Sequence, residues 1–354
     1  MKTFAICAAL SCTAFCLVGA GSRLSDEGLT VHEWGTFTSV AGPEGMPVEW
    51  NTLGCNSDLP KFVHDGGQRN RKFSLFATVR METPVLYFYS SHDVDASVKV
   101  SFPNGEITEW FPQATWRDGA IAWNSIQVRP GSAPEFPVES APSRYYAARA
   151  TDATPLSLGD QHEKFLFYRG VATIPVPLSA RVADDGRIIV GNTGKDSVPT
   201  VFLFENRGGE IGYRNAGKVD TGATLERPVL DEGSSSQLKA DLEGALMDQG
   251  LYPKEAAAMV DTWRDSWFEE GSRLIYILPE GAVNAMLPIE INPSPARISR
   301  VFVGRIELIT PQTKQAVQAA LSTGDTHTLE LYQRFLQPIG NSIGKAINLP
   351  CQAK

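Results

Sequence analysis

Between Ser234 and Pro279 lies the one long helical signal in the chain, and the sequence on both sides of it alternates like strands. That pattern calls for a β-rich α+β fold in which paired helices pack against sheet. Ser234 with Gln237 three residues later reads as a capping box, and Leu238, Leu242, Ala245 and Leu246 then share one face. Gly250 is placed to stop this helix. Pro253 is placed to start a second, whose Ala256, Met259, Val260, Trp263 and Trp267 form an apolar stripe before Gly271. The spacing predicts a helical hairpin over 234–271, with Leu274 to Leu278 as a buried strand directly after it. The polar face of the second helix carries Asp261, Asp265 and Glu269 at i+4 steps, with Arg264 beside them and Arg273 just beyond. Such a stripe is ordinarily a solvated surface; folded into a cleft, it could bind a cation or do acid/base work.

Ahead of the hairpin the signals are short strands and turns. In LTVHEWGTFTSV, from Leu29, a strand puts Thr30, His32, Trp34, Thr36 and Thr38 on one side and Val31, Glu33 and Phe37 on the other. His32 and Glu33 therefore point to opposite faces, unlike the helical HExxH zinc site, whose histidines share one. Leu75 to Arg80, Val85 to Ser90, Ser97 to Phe102, Ile107 to Phe111 and Ile121 to Val128 continue the pattern, with Asn104-Gly105 as a hairpin turn. Pro130, Pro134, Pro137 and Pro142 mark an irregular connection. A second strand-rich run covers Lys164 to Arg214, with turns at Asp184-Asp185-Gly186 and Arg207-Gly208-Gly209. The expected organisation is two antiparallel sandwich-like β regions, 21–143 and 144–230, then the hairpin, then strands and a helical C-terminal tail over 272–354. Residues 21–354 could equally form one composite domain.

The N-terminus reads as a secretory signal peptide: Lys2, an apolar run from Phe4 to Val18, and Val18-Gly19-Ala20 as a small-residue cleavage pattern. Cleavage is expected after Ala20, giving an exported, periplasmic or extracellular protein. No later stretch approaches the roughly 18 apolar residues of a membrane span. The formal net charge of −8 argues against a nucleic-acid partner. Three of five cysteines lie in the signal peptide, leaving Cys55 and Cys351. In an oxidising compartment a disulfide between them is the natural inference, with free thiols or an intermolecular bond as the alternatives.

No catalytic motif survives inspection. Gly191-Asn192-Thr193-Gly194-Lys195 fails as a phosphate loop on spacing and on Asp196, where Ser or Thr is needed, and CxxC and GxGxxG are absent. The five histidines are far apart in sequence, which leaves open a metal site or triad assembled in space, since such sites are recognised by geometry. Trp110, Trp116 and Trp123 fall close together; buried they are core, exposed they would stack on a sugar ring. The stretches VHEWGTFTSV, RMETPVLYFYS, EKFLFYRGV, TWRDSWFEEGSRLIYILP and RVFVGRIEL resemble a group of secreted proteins of environmental bacteria with no assigned activity. That resemblance spans most of the chain, implies export and a shared fold, and carries over no catalytic residue. The leading expectation is non-catalytic binding of a protein or glycan partner. The alternative is an extracytoplasmic hydrolase, dependent on carboxylates or a metal, with His32, Glu33, Asp265, Glu269 and Arg273 as its candidate groups.

Overall fold

The computed structural model describes residues 28–53, 59–66, 75–117, 119–231 and 234–347. At its centre is an eight-stranded sheet, in the order Glu210–Val219, Val198–Arg207, Gly271–Ile277, Arg297–Leu308, Thr30–Ala41, Val79–Tyr89, Leu166–Ala172 and Gly105–Phe111. Strand 30–41 runs parallel to strand 297–308, with Val31 opposite Ile298 and Val40 opposite Glu307, and the other pairs are antiparallel. This one parallel pair departs from the all-antiparallel expectation. Almost every residue of strand 30–41 is inaccessible, which fits its covered, central position in the sheet.

Each face of the sheet carries its own core. On one side Val31, Phe37, Leu86, Phe88, Tyr276 and Phe302 pack against Val98, Val100, Ile121 and Trp123 of a six-stranded sheet and Ile188 and Val190 of a three-stranded one. On the other, Trp34, Tyr87, Phe202, Phe204, Ile275 and Val301 meet Leu238, Leu242, Met259, Trp263 and Trp267 of the helical hairpin. The β-rich α+β architecture thus has several antiparallel sheets, the hairpin and a helical C-terminal part. The hairpin helices are Ser234–Asp248 and Pro253–Trp267, and Gly250 takes the left-handed φ of 103° that its stop position requires. Among the described residues no helix is long and apolar enough to cross a membrane.

Two expectations are corrected. Asn104-Gly105 is no hairpin turn, because neither residue has the positive φ of a type I′ turn. Instead it is a corner: strand Val94–Ser101 belongs to the six-stranded sheet, and strand 105–111 forms an edge of the main one. The irregular stretch 130–142 also does not separate the pairing of the two β regions, since strand 166–172 lies between strands 79–89 and 105–111.

Candidate functional site

His32 and Glu33 lie mid-sheet, wholly buried, on the opposite faces that the alternation predicted. On the helix side His32 Nδ1 is 2.7 Å from Glu255 Oε2, and the same oxygen accepts from the Tyr252 backbone N–H at 2.8 Å. Glu255 thus caps the second helix and anchors it to the sheet at once. The imidazole packs on Tyr252 and Tyr89, with ring centroids 4.5 and 5.4 Å away. Burial first, and then the Glu255 carboxylate, push the Tyr89 hydroxyl well above its ordinary range.

On the other face the Tyr168 hydroxyl donates to Glu33 Oε1 at 2.5 Å and Arg300 Nε donates to Oε2 at 2.6 Å. Arg300 Nη1 reaches Asn284 Oδ1 at 2.8 Å. Burial alone would lower the Arg300 pKa, but the Glu33 carboxylate beside it outweighs that and raises it. Burial drives the Tyr168 hydroxyl upward, reinforced by Glu33.

The acidic stripe divides. Asp265 stays on the surface, loosely paired with Arg264 at 3.4 Å. The helix ends at Trp267, so Glu269 leaves the helical register and turns inward, where Arg305 Nη2 donates to it at 2.5 Å. Arg273 is fully buried and closes that helix end, donating to the carbonyls of Trp267 at 2.8 Å, Glu269 at 2.6 Å and Glu270 at 2.7 Å, and to Glu307 Oε2 at 2.9 Å. The lattice runs on through Arg334 to Glu82. Burial works against the Glu82 carboxylate, yet the guanidinium groups of Arg334, Arg80, Arg169 and Arg305 win and hold its pKa at about 2. The carboxylates of Glu33, Glu82, Glu269 and Glu307 are each paired with an arginine, while His32 Nε2 and Glu255 Oε1 are buried without a hydrogen-bond partner. Among the described residues no three His, Cys, Asp or Glu side chains are placed to hold a metal ion.

Trp110 and Trp123 are core residues, the latter donating from Nε1 to the Pro112 carbonyl at 2.9 Å. Trp116 is 37% exposed and stacks on Trp110, with centroids 6.0 Å apart and planes at 20°. Cys55 and Cys351, and with them the expected disulfide, lie outside the described residues, as does the expected signal peptide.

The space that is open to a partner lies elsewhere. A cleft of about 610 Å³ forms where the ends of strands 30–41 and 297–308 meet the three-stranded sheet and the C-terminal helices Pro311–Thr323 and Leu336–Ser342. Ala41, Val48, Ala180, Val182, Leu308, Ile309, Pro311 and Pro338 make it largely apolar, while Glu49, Arg181, Asp184, Lys314, Asn341 and Ser342 add charge of both signs and neutral polar groups. Sequence reasoning marked none of these as site residues, nor Glu255, Tyr168, Arg300, Glu82, Arg305 or Glu307. For the buried charges a signal was present: in RVFVGRIEL, Arg300, Arg305 and Glu307 interrupt an apolar strand, and such charges need partners.

No family model matches the chain, and no curated protein matches it. Among solved structures, the yeast delta-COP mu-homology domain, complexed with a Dsl1 WxWxV peptide, is similar at 9% identity and a TM-score of 0.31. That alignment covers 79% of this chain and 96% of the yeast domain. The same yeast domain without peptide gives a TM-score of 0.30. A likeness at these scores is too slight to support an argument about fold or function.

Proposed function

We propose that this chain is a non-catalytic binding protein that acts after export and takes a protein partner in the cleft between the sheet ends and the C-terminal helices. What carries the reading is the cleft: about 610 Å³ of largely apolar surface with a few polar groups, the composition that favours binding. The carboxylates that a hydrolase would use support it from the other side, since Glu33 and Glu269 are each committed to an arginine. Their geometry is that of internal ion pairs, which fix the position of one element against another. The exposed indole of Trp116 is the one observation on the side of a glycan, but it is a single ring already stacked on Trp110.

The test uses a phage-displayed library of random nonapeptides panned on the purified full chain. Peptides that bind it should lose affinity at least tenfold for Asn341→Trp or Ser342→Trp, since both side chains are exposed and an indole there fills the cleft. Unchanged binding to both variants would place the peptide elsewhere and end the cleft reading. Fractionation of the producing cell, with N-terminal sequencing of the recovered protein, tests export: the chain should begin at Gly21 outside the cytoplasm.

A further inference from the structure

We infer that the cleft takes its partner as an extended peptide added to the outer edge of strand Leu178–Val182, an inference that rests on the cleft being the binding site. This strand pairs on its other side with Ile188–Asn192, Val182 lying opposite Ile188, Arg181 opposite Ile189 and Ala180 opposite Val190. In an antiparallel ladder alternate residues exchange both hydrogen bonds with the neighbour, and the residues between them turn both backbone groups outward. Two observations independently fix which residues these are. The hairpin closes with Ala183 N–H donating to the Arg187 carbonyl at 2.8 Å, which makes Arg181 a hydrogen-bonded position and turns Val182 and Ala180 outward. Ala180 N–H does donate outward, to the Gly45 carbonyl at 2.9 Å.

Ala180 and Val182 both line the cleft. Gly45 therefore does at Ala180 what one residue of an added strand would do, and the N–H and C=O of Val182 stand next along the same edge. Main-chain groups of this kind give affinity for any extended segment, and the pockets beside them choose the side chains. The cleft is also lined by apolar Val48, Ile309 and Pro338, with Lys314 and Glu49 balancing one another in charge. The partner chemistry is accordingly an extended segment with apolar residues at alternate positions and no net charge requirement. A second copy of the same strand is a poor occupant: two-fold pairing of edge with edge needs several consecutive outward residues, and Gly45 already covers Ala180.

The experiment is an amide N-methyl scan of one library-selected peptide, measured by calorimetry on the wild-type chain, with Val182→Pro and Val182→Ala as companion variants. N-methylation should weaken binding about fivefold or more at the position facing Val182, and much less at the residues on either side of it. Val182→Pro should weaken the unmodified peptide similarly and more than Val182→Ala does, because only the proline deletes an outward N–H that the ladder to strand 188–192 does not use. If no methylated amide matters, or neighbouring amides matter equally, while Ser342→Trp still abolishes binding, strand addition is overturned and the cleft reading stands. If Ser342→Trp and Asn341→Trp both leave binding intact, or no peptide can be selected, both fall. The scan is done on the wild-type protein, so it decides the matter even where Val182→Pro fails to fold.

Discussion

Replacing Glu82 with glutamine is the sharpest perturbation of the buried charge lattice, and its effect depends on pH in a calculable way. Glu82 lies opposite Thr36 on the helix side of the sheet, 2% exposed, paired with Arg334 and with Arg80 Nε at 3.9 Å. Although burial opposes ionisation, the surrounding arginines bring its pKa from the ordinary 4.5 to about 2. Because the folded pKa is depressed, ionised Glu82 stabilises the fold above pH 4.5, and that stabilisation is lost as pH falls from 4.5 towards 2. The interval from 4.5 to about 2, at about 1.4 kcal/mol for each pH unit, comes to roughly 3 kcal/mol. Breaking a buried pair by removing one partner costs about 3–5 kcal/mol, so the two routes agree.

Glu82→Gln should therefore be about 3 kcal/mol less stable than wild type in urea at pH 7. The gap should narrow steadily below pH 4.5, because Glu82 loses its charge on protonation and then faces the arginines as a neutral side chain, as the substituted amide does at every pH. Other carboxylates titrate over the same range; Glu269 is also held low, its arginines led by Arg305 outweighing burial. Both proteins share these groups, so the difference between them isolates Glu82. A gap that stays constant from pH 7 to pH 3, or a variant within about 0.5 kcal/mol of wild type at pH 7, would refute the assignment of Glu82 as the ionised centre of the lattice.

Arg300→Leu should cost about 3–5 kcal/mol by leaving the buried Glu33 carboxyl without its guanidinium partner, and Glu33→Leu in the same chain should recover most of it; urea unfolding of the single and double variants checks this, and no recovery would argue against a simple pair. Trp123→Ala should cost about 3–5 kcal/mol, whereas Trp116→Ala should cost under about 1 kcal/mol in the same assay, since the first ring is wholly buried and the second partly in solvent. On the proposal that the chain is exported, Cys55 and Cys351 should be joined, so intact mass should show no alkylation before reduction and alkylation of both after it.

What the sequence could reveal followed from distance along the chain. The faces of strand 30–41, both ends of the first hairpin helix and the start of the second depend on spacings of two to four residues, and they were readable. The partner of each buried charge was not: Glu255 stands 223 residues from His32, and Arg300 stands 267 from Glu33. An alternating pattern says which way a charged side chain points but not which strand or helix is brought opposite, because that depends on sheet order. Glu269 shows the limit at short range too, since one turn less of helix converts an expected surface carboxylate into a half-buried one paired with Arg305. The cleft is harder still. Its walls come from four separated segments, around 41–49, 180–184, 308–314 and 338–342, and the one that carries a GxSxG spacing, Gly340 to Gly344, is the end of a helix and not the strand-to-helix turn of a nucleophile elbow. Its defining chemistry, a backbone edge at Val182, is independent of side-chain identity and arises only because strand 178–182 has a neighbour on one side. A binding site built from main-chain groups is therefore invisible to a search for catalytic residues, and sheet topology is the level at which it can be found.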